Sequence, residues 1–434
     1  MSITRRSLIH ASTAAVLLAT AKSRVAFAQA HKSVSMVHGL PAVMYQAVAA
    51  RFNSDNTGVH ANLETPLPTY EDVTQRLLRG KLSGDTPDIV FQGLNRTKTI
   101  VDHGLGQPMK LFVGTDDEWT DMGYTPAMLG LGKVGSNSYG LPFAISTPVV
   151  FYNADLVKRA GGDPDNFPDN WDAIISLAKS IKDLGSDTLG IHFEYYDVSG
   201  NWTFMALVQS FGGAMATPGD EDAAFGGSEG LNSLDVLYRI GEVMVDMPYS
   251  QAVQAFSAGT LGVFISSSAA TVGLEKTAAG NFDVRAAPFP RPSANGTIPA
   301  GGSVGMILAT EPDQQAAAWE FVKFATGPVG QTIMVKEAGY APGNSLAVND
   351  PKLLGSFYAE HPLHMVAIRQ LPFATAWYSF PGDNSIKITT IIRDHLQVVV
   401  TRQQKPDAVL ATMVKDVRDL LPRSTSMNLY SKTR

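Results

Sequence analysis

The sequence predicts an α/β protein of two lobes, and three observations lead to this prediction. Once an N-terminal export signal is removed, about 400 of the 434 residues remain, well above the ~150 residues of a typical domain. Strand and helix patterns alternate along the N-terminal half of the chain, as in βαβ units. The pattern breaks near 143–147 and 288–300, where we expect the chain to cross between the lobes.

The N-terminal segment 1–28 has the features of a cleaved export signal. Arg5 and Arg6 form a positively charged start, an apolar run covers 11–21, and Ala-x-Ala at 26–28 matches a cleavage site. The arginine pair is typical of the twin-arginine route, although general secretory signals also contain such pairs. The apolar run is shorter than the ~20 residues that span a membrane. Because the chain has no cysteine for lipid attachment, we expect a mature protein free in the periplasm.

Hydrophobic periodicity in the first part of the chain predicts strands and helices in alternation. Apolar residues at every second position mark strands, and apolar residues three and four positions apart mark helices. The predicted order is a strand in 31–39, a helix in 43–53, a strand in 59–63, a helix in 70–79 and a strand in 85–91. We therefore expect a mostly parallel sheet covered by helices.

The rest of the chain predicts a second lobe that is rich in helices. A loop followed by a strand is expected in 141–153, and a buried strand in 263–268 ends in three serines. Helices are predicted at 172–184, 203–211, 231–245, 314–325, 330–338, 386–401 and 406–421. With 44% hydrophobic and 17% charged residues, the composition supports the cores that such lobes need.

Composition and motif spacing argue against several classes of function. The net charge of −6 does not suit a nucleic-acid partner, and a chain without cysteine has no thiol nucleophile and no Cys-ligated zinc. No Gly-x-Ser-x-Gly elbow occurs, and His361 and His364 do not match a metal-binding motif. We therefore predict no catalytic residues, no metal and no cofactor. A periplasmic glycosidase remains an alternative, because the spacing of its two carboxylates is spatial rather than sequential.

Three groups of segments carry a resemblance to a known family. They are Leu141–Asn153 with Leu156–Gly161 and Trp171-Asp172, then Phe256–Gly259 with the strand to Ser268, and finally Gly301–Ser303 with Ala316–Phe324 and Gly339–Pro342. In this order and spacing they resemble the family 1 extracellular solute-binding proteins of ABC importers, most nearly the subgroup that binds glycerol 3-phosphate. The resemblance covers nearly the whole mature chain.

This resemblance implies the periplasmic-binding-protein fold, in which two α/β sandwich lobes are joined by a hinge and hold the ligand in the cleft between them. The implied N-terminal lobe is 31–145 plus 296–342, and the implied C-terminal lobe is 146–295 plus 343–434. Hinge closure around the solute would signal its presence to the transporter. The implied partners are a small solute and the permease subunits at the inner membrane, and we expect a monomer.

Ligand contacts of the glycerol-phosphate subgroup can be transferred where the motifs match. The matching residues are His38 in the first loop, Tyr70 before the second helix, Ser146 in the crossing, Trp202 at a helix start, Ser267 (or Ser268) at a strand end, Gly302 in a glycine pair and Tyr340 in the Gly-Tyr-x-Pro loop. The resemblance implies that these residues surround the ligand.

Two departures from the subgroup change the expected ligand. Leu94 stands about where the subgroup has a hydroxyl-binding glutamate, and the late loop 373–384 lacks the arginine that pairs with phosphate. A buried phosphate without a cation would suffer a large desolvation penalty. Trp377 and Tyr378 of this loop could instead stack on a sugar ring, although both could also be packing residues. We therefore expect a neutral sugar or polyol, with glycerol 3-phosphate or a glycerophosphodiester as the alternative.

Overall fold

The computed structural model describes residues 32–55 and 58–422. The predicted signal segment 1–28 lies outside the described residues. The strands are β1 (Lys32–Val37), β2 (Val59–Leu63), β3 (Ile89–Gly93), β4 (Lys133–Val134), β5 (Asn137–Ser138), β6 (Leu141–Ser146), β7 (Pro148–Asn153), β8 (Leu189–Phe193), β9 (Leu261–Ser267), β10 (Val284–Pro288), β11 (Ile298–Pro299), β12 (Gly301–Ile307) and β13 (Ala374–Thr375).

Helices account for most of the remaining regular structure. They are α1 (Ala42–Asp55), α2 (Tyr70–Ser83), α3 (Thr97–Asp102), α4 (Asp116–Asp121), α5 (Pro126–Leu131), α6 (Ala154–Arg159), α7 (Trp171–Lys182), α8 (Trp202–Ser210), α9 (Ser228–Ile240), α10 (Tyr249–Ser257), α11 (Thr271–Ala278), α12 (Pro312–Thr326), α13 (Pro328–Glu337), α14 (Ser345–Asn349), α15 (Phe357–Glu360), α16 (Pro362–Gln370), α17 (Ser385–Val400) and α18 (Pro406–Arg418). Within the described part of the chain, no helix is both long and apolar enough to cross a membrane.

Two sheets define two lobes, which we name by chain order. The sheet of the first lobe has five strands in the order β2-β1-β3-β12-β6. Its β1, β2 and β3 run parallel, which confirms the alternating pattern read from the sequence, and β12 is antiparallel to both β3 and β6. The sheet of the second lobe has four strands in the order β10-β7-β9-β8. Only β8 and β9 pair in parallel there, while β7 is antiparallel to both β9 and β10.

The chain crosses between the sheets at Thr147. The sequence predicts one strand in 141–153, but the structure contains two, β6 in the first sheet and β7 in the second. Thr147 stands between them, and its backbone N–H donates to the Ser268 hydroxyl (3.2 Å). A second crossing runs from β10 to β12, and its short β11 pairs with β13. Periodicity missed the division at Thr147 because both strands are buried on both faces and read as one apolar run.

The chain also passes from one lobe to the other in the segment 345–370. Ala347 and Leu354 are buried in the core beside α1, α12 and α13. Val366, on α16, is buried in a core of the second lobe with Phe264 of β9. A larger core cluster contains residues of both sheets, including Val90 of the first and Val150 of the second. The two lobes therefore share a continuous apolar contact.

Candidate ligand-binding cavity

A cavity of about 170 Å³ lies between the ends of the two sheets. It is lined by Gly39, Leu40, Pro68, Thr69, Tyr70, Ser146, Gly301, Gly302 and Tyr340 from the first-lobe side, by Asp197, Val198, Ser199, Trp202 and Ser267 from the second-lobe side, and by Trp377. Seven of the nine residues predicted from the sequence are therefore brought together here. Several of them lie at strand ends or helix starts, where open α/β sheets present their binding groups.

Tyr70 reaches the cavity because a capping box fixes the start of α2. The Thr69 hydroxyl accepts from the Asp72 backbone N–H (3.1 Å), while the Asp72 carboxylate accepts from the Thr69 backbone N–H (3.2 Å). This reciprocal pair satisfies two free donors at the helix start and makes Tyr70 the first residue of α2. The Tyr70 hydroxyl is buried without a hydrogen-bond partner within 32–55 and 58–422. Its oxygen is inaccessible to solvent and lies close to the hydroxyls of Ser303, Tyr340 and Tyr45, so Tyr70 presents its ring to the cavity.

Two tryptophans form an apolar wall with Tyr70. Trp202 is the first residue of α8, and its Nε1–H donates to the Pro299 carbonyl (3.1 Å). Its ring centroid lies 6.1 Å from that of Trp377, which in turn lies 6.1 Å from the Tyr70 ring in an edge-on arrangement. The Trp377 Nε1–H is buried and has no partner among the described residues. The three rings therefore give this side of the cavity a mainly apolar surface.

The floor of the cavity depends on two glycines at the start of β12. Gly301 pairs with Ser146 across the sheet, and a Cβ at Gly301 would lie 2.6 Å from the Ser146 hydroxyl and 2.9 Å from the Trp202 ring. Gly302 has a φ of +107°, and a Cβ there would lie 1.9 Å from the Ala144 carbonyl oxygen. A larger residue at either position would collide with its neighbours. The two glycines thus keep the backbone close to the serine and the indole.

Buried tyrosines supply neutral hydroxyl groups around the cavity. Burial raises the pKa of Tyr70 to about 12, and burial also holds the pKa of Tyr45 and Tyr340 well above the ordinary value of 10.0. The Tyr45 hydroxyl, behind the cavity wall, lies 3.3 Å from the Ser303 hydroxyl. These phenols therefore remain protonated at neutral pH and can donate hydrogen bonds.

Charge is scarce in the lining. Of the described residues that line the cavity, Asp197 alone is an Asp, Glu, Lys, Arg or His, and it is exposed. One of its carboxylate oxygens accepts from the Tyr249 backbone N–H (2.8 Å). The late loop 373–384 contributes Trp377 and no cation. The cavity therefore offers hydroxyls, aromatic faces and one carboxylate.

Two predicted contact residues do not line the cavity. His38 is buried behind Gly39, where its Nδ1 lies 2.9 Å from the Gly39 carbonyl oxygen and its ring stacks on Tyr45 at 4.5 Å. Tyr378 follows Trp377 along the chain, but its ring packs edge-on against Phe380 at 5.1 Å. Both side chains thus contact protein groups in this structure.

An ion-pair network adjoins the cavity and joins the two lobes. Arg96, on the turn after β3, is fully buried and donates to the Glu71 carboxylate of α2 at 2.6 Å. On the second-lobe side, the Ser199 hydroxyl donates to the Glu71 carboxylate (2.5 Å). The Arg96 guanidinium also donates to the hydroxyl of Ser385, at the start of α17 (2.7 Å). Leu94, placed by the sequence near the missing glutamate, is buried and does not line the cavity.

The loop 197–199 is the part of the lining that sequence reasoning missed. It lies shortly after β8, which ends at Phe193, and this position after a strand end could have marked it as a candidate. The shape of the loop depends on Gly200 and Asn201, both with positive φ (61° and 55°). Gly200 approaches Trp377 so closely that a Cβ would lie 3.2 Å from its Nε1. A second cavity of about 260 Å³ shares Thr69 and this loop and also contacts Arg393.

The two-lobed fold with a solute-sized interlobe cavity defines a class of ligand-capturing proteins. Residues 47–364 match the family described as bacterial extracellular solute-binding protein, and the chain belongs to that family. The family assignment made from the sequence is therefore confirmed, and the members of this family are binding proteins.

Individual relatives agree with this assignment. The sn-glycerol-3-phosphate-binding periplasmic protein UgpB of Escherichia coli is 23% identical, over 94% of this chain and 96% of its own length. The structure of UgpB from Mycobacterium tuberculosis in complex with glycerophosphocholine matches with a TM-score of 0.77 at 20% identity, covering 89% of this chain and 97% of that one. The cyclic alpha-maltosyl-1,6-maltose binding protein of Arthrobacter globiformis matches with a TM-score of 0.73 at 20% identity, covering 90% and 99%. These matches confirm the two-lobed α/β fold.

Proposed function

We propose that the protein captures a neutral sugar or polyol in the interlobe cavity and delivers it to the permease of an ABC importer. The choice of ligand rests on the charge of the cavity lining. The described residues that line the cavity include the Asp197 carboxylate and no Lys, Arg or His. A carboxylate accepts from sugar hydroxyls, whereas it repels a phosphate. A phosphate dianion in this cavity would lack the cation that offsets its desolvation.

Helix starts do not reverse this preference. Both α2 and α8 begin at the cavity, and a helix N-terminus carries a partial positive charge that favours anions. In α2 this charge is offset by Glu71 and Asp72 in the first turn. The capping box already uses two backbone donors at the start of α2, and the remaining donors can serve hydroxyl oxygens as well as anions.

The size of the cavity favours a small solute. Its volume of about 170 Å³ is below the roughly 300–1,000 Å³ of pockets for drug-sized ligands. We infer a solute of about one sugar ring, which would pack its C–H face against Trp202 or Trp377 and direct hydroxyls toward Ser146, Ser267 and Asp197. A longer ligand would need the second cavity beside Arg393.

The family and the predicted export signal support a proposal for the wider biological setting. We infer a periplasmic, monomeric protein without cofactor, catalytic residues or enzymatic activity. The lobes are proposed as 31–145 plus 296–342 and 146–295 plus 343–434, with closure about the crossings as the signal to the permease. Packing of 345–355 beside α13 favours extending the first lobe to about residue 355.

A thermal-shift screen of the mature chain, refolded from denaturant to remove any bound solute, tests this function. The panel contains monosaccharides, polyols, glycerol 3-phosphate, glycerophosphocholine and amino acids. We expect a neutral sugar or polyol to raise the melting temperature, without product formation in a chromatographic assay. If glycerol 3-phosphate or glycerophosphocholine alone stabilises the protein, the ligand proposal is wrong, and turnover of a glycoside would refute the binding role.

A further inference from the structure

A second polar cluster lies away from the ligand cavity, at the passage of the chain between the lobes. Glu275 on α11, His361 just before α16 and His364 within α16 each present one potential ligand atom, and the three atoms lie within 4.8 Å of one another. The sequence does not reveal this cluster, because Glu275 is distant from the histidines along the chain and belongs to no motif with them.

Among the described residues, the imidazole of His364 in this cluster is buried without hydrogen-bond partners. Its side chain is 2% exposed, and neither ring nitrogen has a hydrogen-bond partner among the residues that the structure describes. The Nε2 atom lies 3.7 Å from the Glu275 carboxylate, beyond hydrogen-bond distance. A buried imidazole without partners loses its hydration and gains nothing in return. A bound cation would satisfy one of these nitrogens.

The composition and spacing of the cluster fit a first-row transition metal. Two imidazoles and a carboxylate form the three-ligand set of open zinc sites, in which a water completes the tetrahedron. Bonds of about 2.0–2.1 Å place such ligand atoms roughly 3.3 Å apart, so modest side-chain movement would bring the three atoms to bonding distance. We propose that Glu275, His361 and His364 form a binding site for Zn²⁺.

The surroundings leave room for the ion and its water. A cavity of about 540 Å³ is lined by all three residues together with Asp283, Lys276 and Lys336. The two lysines are exposed, so solvent screens much of their charge. Phe357 stacks on His361 at 4.2 Å and limits the orientation of its ring. The site thus has a water-accessible side and at least one ligand held by packing.

The position of the site indicates what the ion would do. His361 lies where the chain passes from the core that contains Leu354 to the core that contains Val366. Zinc bound there would fasten this passage to α11, which follows β9 of the second lobe. Because only the folded chain assembles the three ligands, zinc binding would stabilise the protein.

Calorimetric titration of ZnCl₂ into the mature chain, prepared without a histidine tag, tests the proposal. We expect one ion per chain and a higher melting temperature, and binding at least 10-fold weaker in Glu275→Gln and His361→Ala. These residues are only partly buried, so both variants should remain folded by circular dichroism, unlike a change at His364. His60→Ala, at an exposed histidine of β2, is the matched control and should bind as the wild type does.

Cobalt gives a second readout, because Co²⁺ bound by nitrogen and oxygen in a tetrahedral site absorbs visible light strongly. The cobalt spectrum should appear with the wild type and His60→Ala and vanish with Glu275→Gln. The proposal is overturned if the wild type binds no zinc at millimolar concentration, or if all variants bind it equally.

Discussion

The Arg96 guanidinium lies 2.6 Å from the Glu71 carboxylate, and the arginine side chain is completely buried. Both residues belong to the first lobe, yet their remaining hydrogen bonds go to Ser199, Ser379 and Ser385 on the other side of the interface. Hydrogen bonds from this one ion pair thus bridge the two lobes beside the cavity. Glu71, which follows the cavity residue Tyr70 in the sequence, therefore contacts groups of both lobes.

Loss of the Glu71 charge should destabilise the protein strongly. Glu71→Gln leaves the Arg96 charge buried without a counterion, and breaking such a pair costs about 3–5 kcal/mol. Urea unfolding measures the change. Asp102→Asn is the matched control, because the Lys98–Asp102 pair is exposed and should contribute less than about 1 kcal/mol. Equal effects of the two changes would contradict the role assigned to the buried pair.

Gly302 should tolerate no side chain. In Gly302→Ala the new methyl group meets the Ala144 carbonyl and the backbone has a φ of +107°, so we expect a loss of at least about 2 kcal/mol. Gly273, within α11, faces open space, and a Cβ added there would meet no atom within 4 Å. Gly273→Ala should therefore be neutral or stabilise by up to ~1 kcal/mol. Denaturant unfolding measures the free energy of unfolding of both variants. An unchanged free energy in Gly302→Ala would argue against the close approach of β6 and β12.

Removing the Trp202 ring should weaken solute binding. Trp202→Ala deletes part of the cavity wall, and we expect at least a 10-fold increase in Kd, equivalent to about 1.4 kcal/mol. Trp171 is a buried tryptophan that does not line the cavity, so Trp171→Ala controls for the general cost of losing a core indole. Titration calorimetry with the sugar or polyol that stabilises the wild type in the thermal-shift screen measures Kd, at a temperature where both variants are folded. An unchanged affinity in Trp202→Ala would assign this residue to packing.

Acid should destabilise the fold through His38. Burial is the main cause that lowers the pKa of His38 below its ordinary value of 6.5, and the hydrogen bond with Gly39 offsets part of this. Because the unfolded chain then takes up the proton more readily, the stabilising effect of neutral His38 is complete above pH 6.5. It is lost progressively as the pH falls from there toward the lower folded-state pKa. In His38→Phe, which keeps a ring against Tyr45, the unfolding free energy should depend less on pH in this range. If the unfolding free energies of His38→Phe and the wild type depend on pH in the same way, the prediction is wrong.

Local signals in the sequence predicted much of the fold. The βαβ alternation gave the parallel part of the first sheet, and helices such as 314–325 and 406–421 lie within or overlap α12 and α18. The crossing at Thr147 was harder to predict, because two buried strands in succession have no polar face to separate them. Short helices between 97 and 131 were missed for the related reason that one or two turns give too little periodicity.

Tertiary contacts limit what the sequence says about the site. Residues at strand ends and helix starts, such as Ser267 and Trp202, could be found because their motifs are local. Asp197 and Ser199 reach the cavity through a loop whose path depends on positive φ at Gly200 and Asn201. Glu71 and Arg96 carry no local sign that they will pair. His38 remained ambiguous, because a histidine in a loop and a histidine buried behind that loop look the same in sequence.

Calorimetric titrations of the protein with neutral sugars and polyols, and separately with glycerol 3-phosphate, at low and high salt, test the proposed preference of the cavity for an uncharged solute. We predict that a neutral solute binds one to one with an affinity that salt leaves unchanged, because uncharged ligands gain nothing from long-range attraction. Glycerol 3-phosphate should bind weakly or not at all to the same refolded preparation. Tight, salt-sensitive binding of glycerol 3-phosphate, without binding of any neutral solute, would contradict the proposed sugar or polyol ligand.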